Sequence, residues 1–277
     1  MTADYYASHG DVTAIGEHGA QFEALPPDVA GLCRIVQGLL IHDHSGLHLY
    51  GEPPASFHFA SRETVPVSRR LDENLAVHGQ PIAHARQPFE RTVGTCRDFS
   101  LMLCAMLRQQ GIAARVRCGF AKYFDPPFYE DHWICEYWKV DDQRRAKADA
   151  QLDELHKAHL AIDFDTTDIP GDQFVYSWQA WRRCQSNSAD AALFGHGGYT
   201  GEWFVRVNLA RDFLALCKRE VSPWDTWRDA RDQDLDHIRH YDRMATLGEV
   251  ATDLAPTKIT GPGLQDYLSA PPWRRQA

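Results

Sequence analysis

The chain has no Cys-x-x-Cys pair, no long apolar run and no excess of basic charge. Each absence excludes a class. Seven scattered cysteines without such a pair argue against a disulfide scaffold or a zinc ribbon. Without a run of about 18 apolar residues, no membrane span is expected. A formal charge of −9 argues against a general nucleic-acid binder, which carries a basic face. Met1 to Tyr6 hold no basic stretch followed by an apolar one, so no signal peptide is expected. Neither a Walker-type phosphate loop nor an H-E-x-x-H pair occurs, and Gly195-His196-Gly197-Gly198 reads as a turn. The expectation is a cytoplasmic protein with free thiols, no cofactor and no metal.

What is present is an ordinary globular mix, 44% hydrophobic and 24% charged, with eight Trp, ten Tyr and thirteen Phe. The whole of 1–277 reads as one domain: a mostly helical part over 1–85, a core over 86–165 and a C-terminal extension over 166–277 packed on it. Pro26-Pro27-Asp28 predicts a helix start capped by Asp28, and the helix carries Leu32, Ile35, Val36, Leu39 and Leu40. Residues 51–70 read as loop and 71–90 as a short helix followed by a Pro-broken connection. Thr95-Cys96-Arg97-Asp98 fits a helix-start box, and the apolar residues from Phe99 to Leu107 predict a buried central helix stopped by Gly111. Strands are expected over 113–122, 132–138 and 146–152. A strand at Trp203–Val207 precedes a helix over Leu209–Lys218, with Asn208 as its cap. Asp225–Asp236 reads as a solvated helix face and Ala270–Ala277 as a tail. One buried helix followed by strands at hairpin spacing predicts an α+β core.

Cys96 is the cysteine whose place alters its chemistry. In a helix's first turn, free amides and the helix dipole favour an anion, and thiolates there react as nucleophiles. A nucleophilic cysteine needs a base and a group to orient it. His132 begins a strand behind a Pro-rich loop. Asp149 follows on the next expected strand, where a hairpin would bring it beside His132, although Asp141, Asp142 and Asp153 lie near.

Three blocks resemble the core of transglutaminase-like proteins: Gly94 to Ser100 with Gly111 to Phe120, then Asp131-His132-Trp133, then Ala148 to Leu152. They stand in family order. The resemblance implies a papain-like fold, with the cysteine-bearing helix packed on an antiparallel sheet, and a triad of Cys96, His132 and Asp149. It implies acyl transfer through a thioester, with water or an amine as acceptor. The flanks do not match calcium-regulated crosslinking enzymes, so calcium dependence is not carried over. With no protein-docking segment in view, a small-molecule or peptide substrate is expected. Trp133, Trp203 and Arg206 are candidates to line its site, against packing and a structural ion pair as the plainer readings. Two rivals stay in view: a non-catalytic binding protein with the same fold, and metal binding at His42, His44 and His48.

Overall fold

A computed structural model describes residues 5–57, 61, 64–222 and 235–253. After a single-turn helix α1 (Gly19–Phe22), helix α2 (Val29–Leu39) starts where its sequence predicts. Asp28 Oδ1 accepts the Gly31 amide at 2.7 Å, so one orphan donor of the first turn is satisfied. Leu32, Val36 and Leu39 fall on the buried side. The chain then forms a short strand β1 (Leu40–His42), helix α3 (Ser45–Tyr50) and helix α4 (Val67–His78). Leu40 and Ile41 were expected to end a helix. They form a strand because Leu40 to His42 pair in parallel with β2 (Thr92–Gly94), a non-local partner that periodicity cannot reveal. Helix α4 begins earlier than expected, directly behind Pro66.

Helix α5 (Cys96–Gln109) is buried from Arg97 to Arg108. Gly111, at φ 77°, ends it as expected: its amide returns to Arg108 O and the Ile112 amide to Leu107 O, both at 2.9 Å. Three antiparallel strands follow, β3 (Ala114–Asp125), β4 (Phe128–Lys139) and β5 (Arg144–Ala148). The third expected strand is shorter than its sequence suggested, because Asp153 caps a new helix, α6 (Glu154–His159). Next come β6 (Phe174–Tyr176), α7 (Ser177–Gln185), β7 (Phe194–His196), β8 (Tyr199–Thr200), α8 (Glu202–Leu216) and α9 (Leu235–Asp253). The main sheet runs β6-β3-β4-β7-β8, with β5 also on β4. The fold is α+β, as expected.

On one face, Val116, Cys118, Trp133, Cys135, Tyr137, Ala146 and Ala148 share a core with α5, which α2 and α4 cover in turn. A second core joins Phe120 and Val175 to Trp181 of α7, Val205, Leu209 and Phe213 of α8, and Tyr241 and Ala245 of α9. Helix α8 corrects the expected strand at Trp203–Val207. The β-prone run Trp-Phe-Val-Arg-Val is helical because α8 is buried on most sides, which erases the amphipathic period that would have announced it. Asn208 is therefore a buried mid-helix residue and not a cap. The expected helix face over Asp225–Asp236 lies almost wholly, and the tail Ala270–Ala277 wholly, outside the described residues. Among the described residues no helix is long and apolar enough to cross a membrane.

Two features hold β3 in place. Gly119 pairs with His132 of β4 on one edge and Tyr176 of β6 on the other. A side chain there would meet Val175 O at 2.4 Å and Phe174 Cζ at 2.7 Å. On the same strand, Arg117 grips Asp212 of α8 through two bonds, at 2.8 and 2.9 Å, and Asp212 also accepts the Cys118 amide at 3.0 Å. Beside it, buried Glu136 is bonded by Arg115 and by Tyr176. Burial alone would raise the Glu136 pKa; Arg115, Arg117 and Arg145 outweigh it and hold it at about 2.

Gly119→Ala should therefore cost about 1–3 kcal/mol in a denaturant titration, because a backbone carbonyl must move. Glu136→Gln should cost about 3–5 kcal/mol by leaving buried guanidinium groups uncompensated. The folded-state pKa of Glu136 is depressed, so its contribution is complete above the ordinary glutamate value of 4.5 and is lost as pH falls through about 2. Acid unfolding of Glu136→Gln should accordingly lack part of the wild-type pH dependence in that window.

Candidate active site

Strand β2 leads directly into α5. Thr95 closes the helix start with its amide, which donates to Asp98 Oδ2 at 2.7 Å, and its hydroxyl meets the same oxygen at 3.1 Å. Arg97 donates to Asp98 Oδ1 at 3.0 Å, and Arg70 stands 3.5 Å from Oδ2. Asp98 is thus committed to the helix start, as its sequence position predicts. Cys96 follows in the first turn. It is half-buried, while Gly94, Thr95 and Arg97 around it are buried.

His132 sits on β4 between two partners of the same edge. Strand β7 pairs at Tyr129 and Glu130, and β5 pairs from Cys135 onward. Asp149 follows β5 directly. Extending the register Cys135↔Ala148 by one residue sets Asp149 opposite Ile134, on the same face as His132 two residues along. That parity brings His132 Nε2 to 2.7 Å from Asp149 Oδ2. Nδ1 is the nitrogen left over, and the Cys96 thiol is near enough to the imidazole to raise its proton affinity. The structure therefore brings Cys96, His132 and Asp149 together.

Asp149 has further partners. The Tyr123 hydroxyl donates to Oδ2 at 2.7 Å, the Gln151 amide donates to Oδ1 at 3.0 Å, and the Asp149 amide is tied to Thr166 O at 2.8 Å. Burial alone would raise the Asp149 pKa, but His132, Tyr123 and the Gln151 amide outweigh it and hold it below the ordinary range. Burial likewise works against protonated His132; Asp149, and then Cys96, outweigh it and lift its pKa to about 10. Phe124 and Tyr123 flank the imidazole edge-on, with ring centroids 4.9 and 6.0 Å away. From the other side, Asn208 donates to Gly119 O at 3.1 Å and to Asp131 Oδ1 at 2.8 Å, and Arg211 reaches Asp131 Oδ2 at 3.2 Å. Helix α8 thus clamps the residues next to and opposite His132.

The remaining candidates are dispersed. Trp133 is a correction: only 1% of it is exposed, and it packs in the α5 core, because its side chain points to the opposite face from His132. Trp203 and Arg206 are on α8. Trp203 packs edge-on against Phe204 and Tyr199, and Arg206 meets Glu202 at 3.4 Å. The three histidines of the metal reading do not converge. His42 Nδ1 accepts the amides of His44 and Ser45, both at 3.3 Å, while His44 and His48 are exposed. Among the described residues no group of three or more His, Cys, Asp or Glu could hold a metal ion. Cys33, Cys104, Cys118, Cys135 and Cys217 are buried, and burial pushes Cys33 up to about 12. Tyr123 and Asn208 were missed. Their only signal is tertiary: one lies at the irregular end of the β3–β4 hairpin, the other on a misread helix.

Residues 59–156, which contain all three site residues, match the model of the transglutaminase-like superfamily. The match supports cysteine-based catalysis in general. A solved structure of a "putative cysteine protease" from Cytophaga hutchinsonii is similar over 62% of this chain and 44% of its own, at 13% identity and a TM-score of 0.37. This chain thus spans less than half the length of that one, and a score of that size does not establish a shared fold. No curated protein matches the chain. Within the matched stretch, Asp149 is the main group raising the proton affinity of His132. Asp149→Asn should drop the His132 titration, followed by imidazole NMR, from about 10 towards the ordinary value near 6.5. An unchanged titration would contradict that assignment.

Proposed function

We propose that this transglutaminase-like protein is a cysteine acyltransferase or hydrolase acting on a small-molecule or peptide substrate, with Cys96 as nucleophile, His132 as acid and base, and Asp149 as orienting carboxylate. The observation that carries the reading is the 2.7 Å bond between His132 Nε2 and Asp149, which leaves Nδ1 unengaged by Asp149 in an imidazole whose proton affinity a half-buried Cys96 at a helix start also raises. Sulfur attacks the carbonyl of an amide, ester or thioester. As the S–C bond forms, the carbonyl electron pair moves to oxygen and the thiol proton rests on His132. The imidazolium then protonates the leaving group, whose bond to carbon breaks, and an acyl thioester remains on Cys96. In the second half, His132 takes the proton of an incoming water or amine, which displaces the sulfur. Asp149 stays ionised and holds the imidazole in one tautomer. Phe124 and Tyr123 keep the imidazole from rotating and shield it from bulk water.

The reading is tested with p-nitrophenyl acetate as acyl donor and intact-protein mass spectrometry as readout. The wild type should acquire one acetyl group on Cys96, discharged faster when an amine acceptor is added if transfer is favoured over hydrolysis. Cys96→Ala should carry no adduct, and His132→Ala should lower the acylation rate by on the order of 10³-fold or more. Acylation spread over all seven cysteines, or unaffected by either substitution, would leave the non-catalytic reading in its place.

A further inference from the structure

An acyl transfer at Cys96 puts negative charge on the former carbonyl oxygen, and the site must supply donors for it. One is at hand. The Cys96 amide is in the first turn of α5, where no intrahelical acceptor exists. A second comes from His42, outside the residues that the family model matches. Strand β1 lies parallel to β2 with His42 opposite Gly94, two residues before Cys96, and the Asp43 amide bonds Gly94 O at 3.0 Å. The His42 ring stands beside the first turn of α5, 6.5 Å from the ring of Phe99. Its side chain keeps 16% of its surface exposed, whereas Ile41 before it is buried. His42 and Cys96 are thus two partly open groups on neighbouring segments.

The tautomer of His42 follows from its bonds. Nδ1 accepts two backbone amides, those of His44 and Ser45, so it carries no proton. Asp43 Oδ1 at 3.2 Å from Nδ1 is therefore a near neighbour and not an ion-pair partner. The proton of the neutral ring is on Nε2, on the side away from the turn. Among the described residues none is bonded to Nε2. Burial, followed by the nearby imidazoles of His132, His156 and His44, pulls the His42 pKa down to about 3. The ring accordingly stays neutral beside protonated His132, and a neutral imidazole donates a hydrogen bond without giving up its proton.

We infer that His42 is a catalytic residue of this site, its Nε2–H pairing with the Cys96 amide to hold the oxyanion of the tetrahedral intermediate. The inference rests on the acyl-transfer reading. His42 transfers no proton: the oxygen gains the carbonyl electron pair when the S–C bond forms and returns it when the leaving group departs. Nδ1, anchored by the α3 turn, keeps the ring oriented through both steps.

The test compares two reactions of the same sulfur in the full chain. Alkylation by iodoacetamide displaces iodide and forms no oxyanion, whereas acylation by p-nitrophenyl acetate does. His42→Ala should slow acylation by about 10²-fold while leaving the alkylation rate of Cys96 within about a factor of two. His42→Gln, which retains an N–H donor, should recover part of the loss. Equal slowing of both reactions would show that His42 only supports the start of α5, and unchanged acylation would remove it from the oxyanion site; either result overturns the inference. Ester reaction that persists in Cys96→Ala marks the different failure, that of acyl transfer itself, and the role of His42 falls with it.

Discussion

A carboxylate kept ionised inside the protein is the constraint on which the rest of the site depends. Asp149 is 1% exposed, and an anion there is tolerable only when its oxygens are fully engaged. Its donors come from three separate stretches: Tyr123 at the end of β3, His132 in β4, and the Gln151 amide beyond β5. The three strands must therefore lie in one register, since a slip of a single residue would turn His132 to the other face. The same charge decides the chemistry of the imidazole. By outweighing the cost of burial, it lets His132 hold a proton beside the Cys96 thiol.

A second set of charges, away from the reacting atoms, serves geometry more than stability. Arg115, Arg117, Arg145 and Lys147 gather around Glu136 and Asp212, with Tyr176 over the Arg117 guanidinium at 4.3 Å. Desolvation consumes most of what such pairs gain, so their net stabilisation is small. What they provide is direction. A two-bond grip between Arg117 and Asp212 admits one placement of α8, and that placement carries Asn208 and Arg211 to Asp131 and Gly119.

The parts of the site legible in the sequence are those set by neighbours in the chain. Thr95, Cys96 and Asp98 announce a helix start within four residues, and Gly111 announces its end. The spacing of His132 and Asp149 needs only a hairpin to bring them together, and β4 and β5 supply it. What was not legible depends on partners distant in sequence. Leu40 to His42 form a strand solely because Thr92 to Gly94 lie alongside. Trp203 to Val207 look like a strand because burial on most sides of the helix leaves no polar stripe to mark the helical repeat. Trp133, adjacent to His132, was a natural cleft candidate, but strand alternation sends neighbours to opposite faces.

The parallel pair β1–β2 and the grip of α8 have a consequence for modularity. The family model ends at residue 156 and begins at 59, yet Gly94 O takes its bond from Asp43 on one side of that stretch. The Cys118 amide finds its acceptor in Asp212 on the other. Excised at those limits, the stretch would expose the apolar faces covered by α2 and α8 and orphan buried polar groups within it. The recognisable core is thus not a portable module in this protein. Its floor and its wall are written in segments that no family pattern marks, so homology and foldability have different boundaries here.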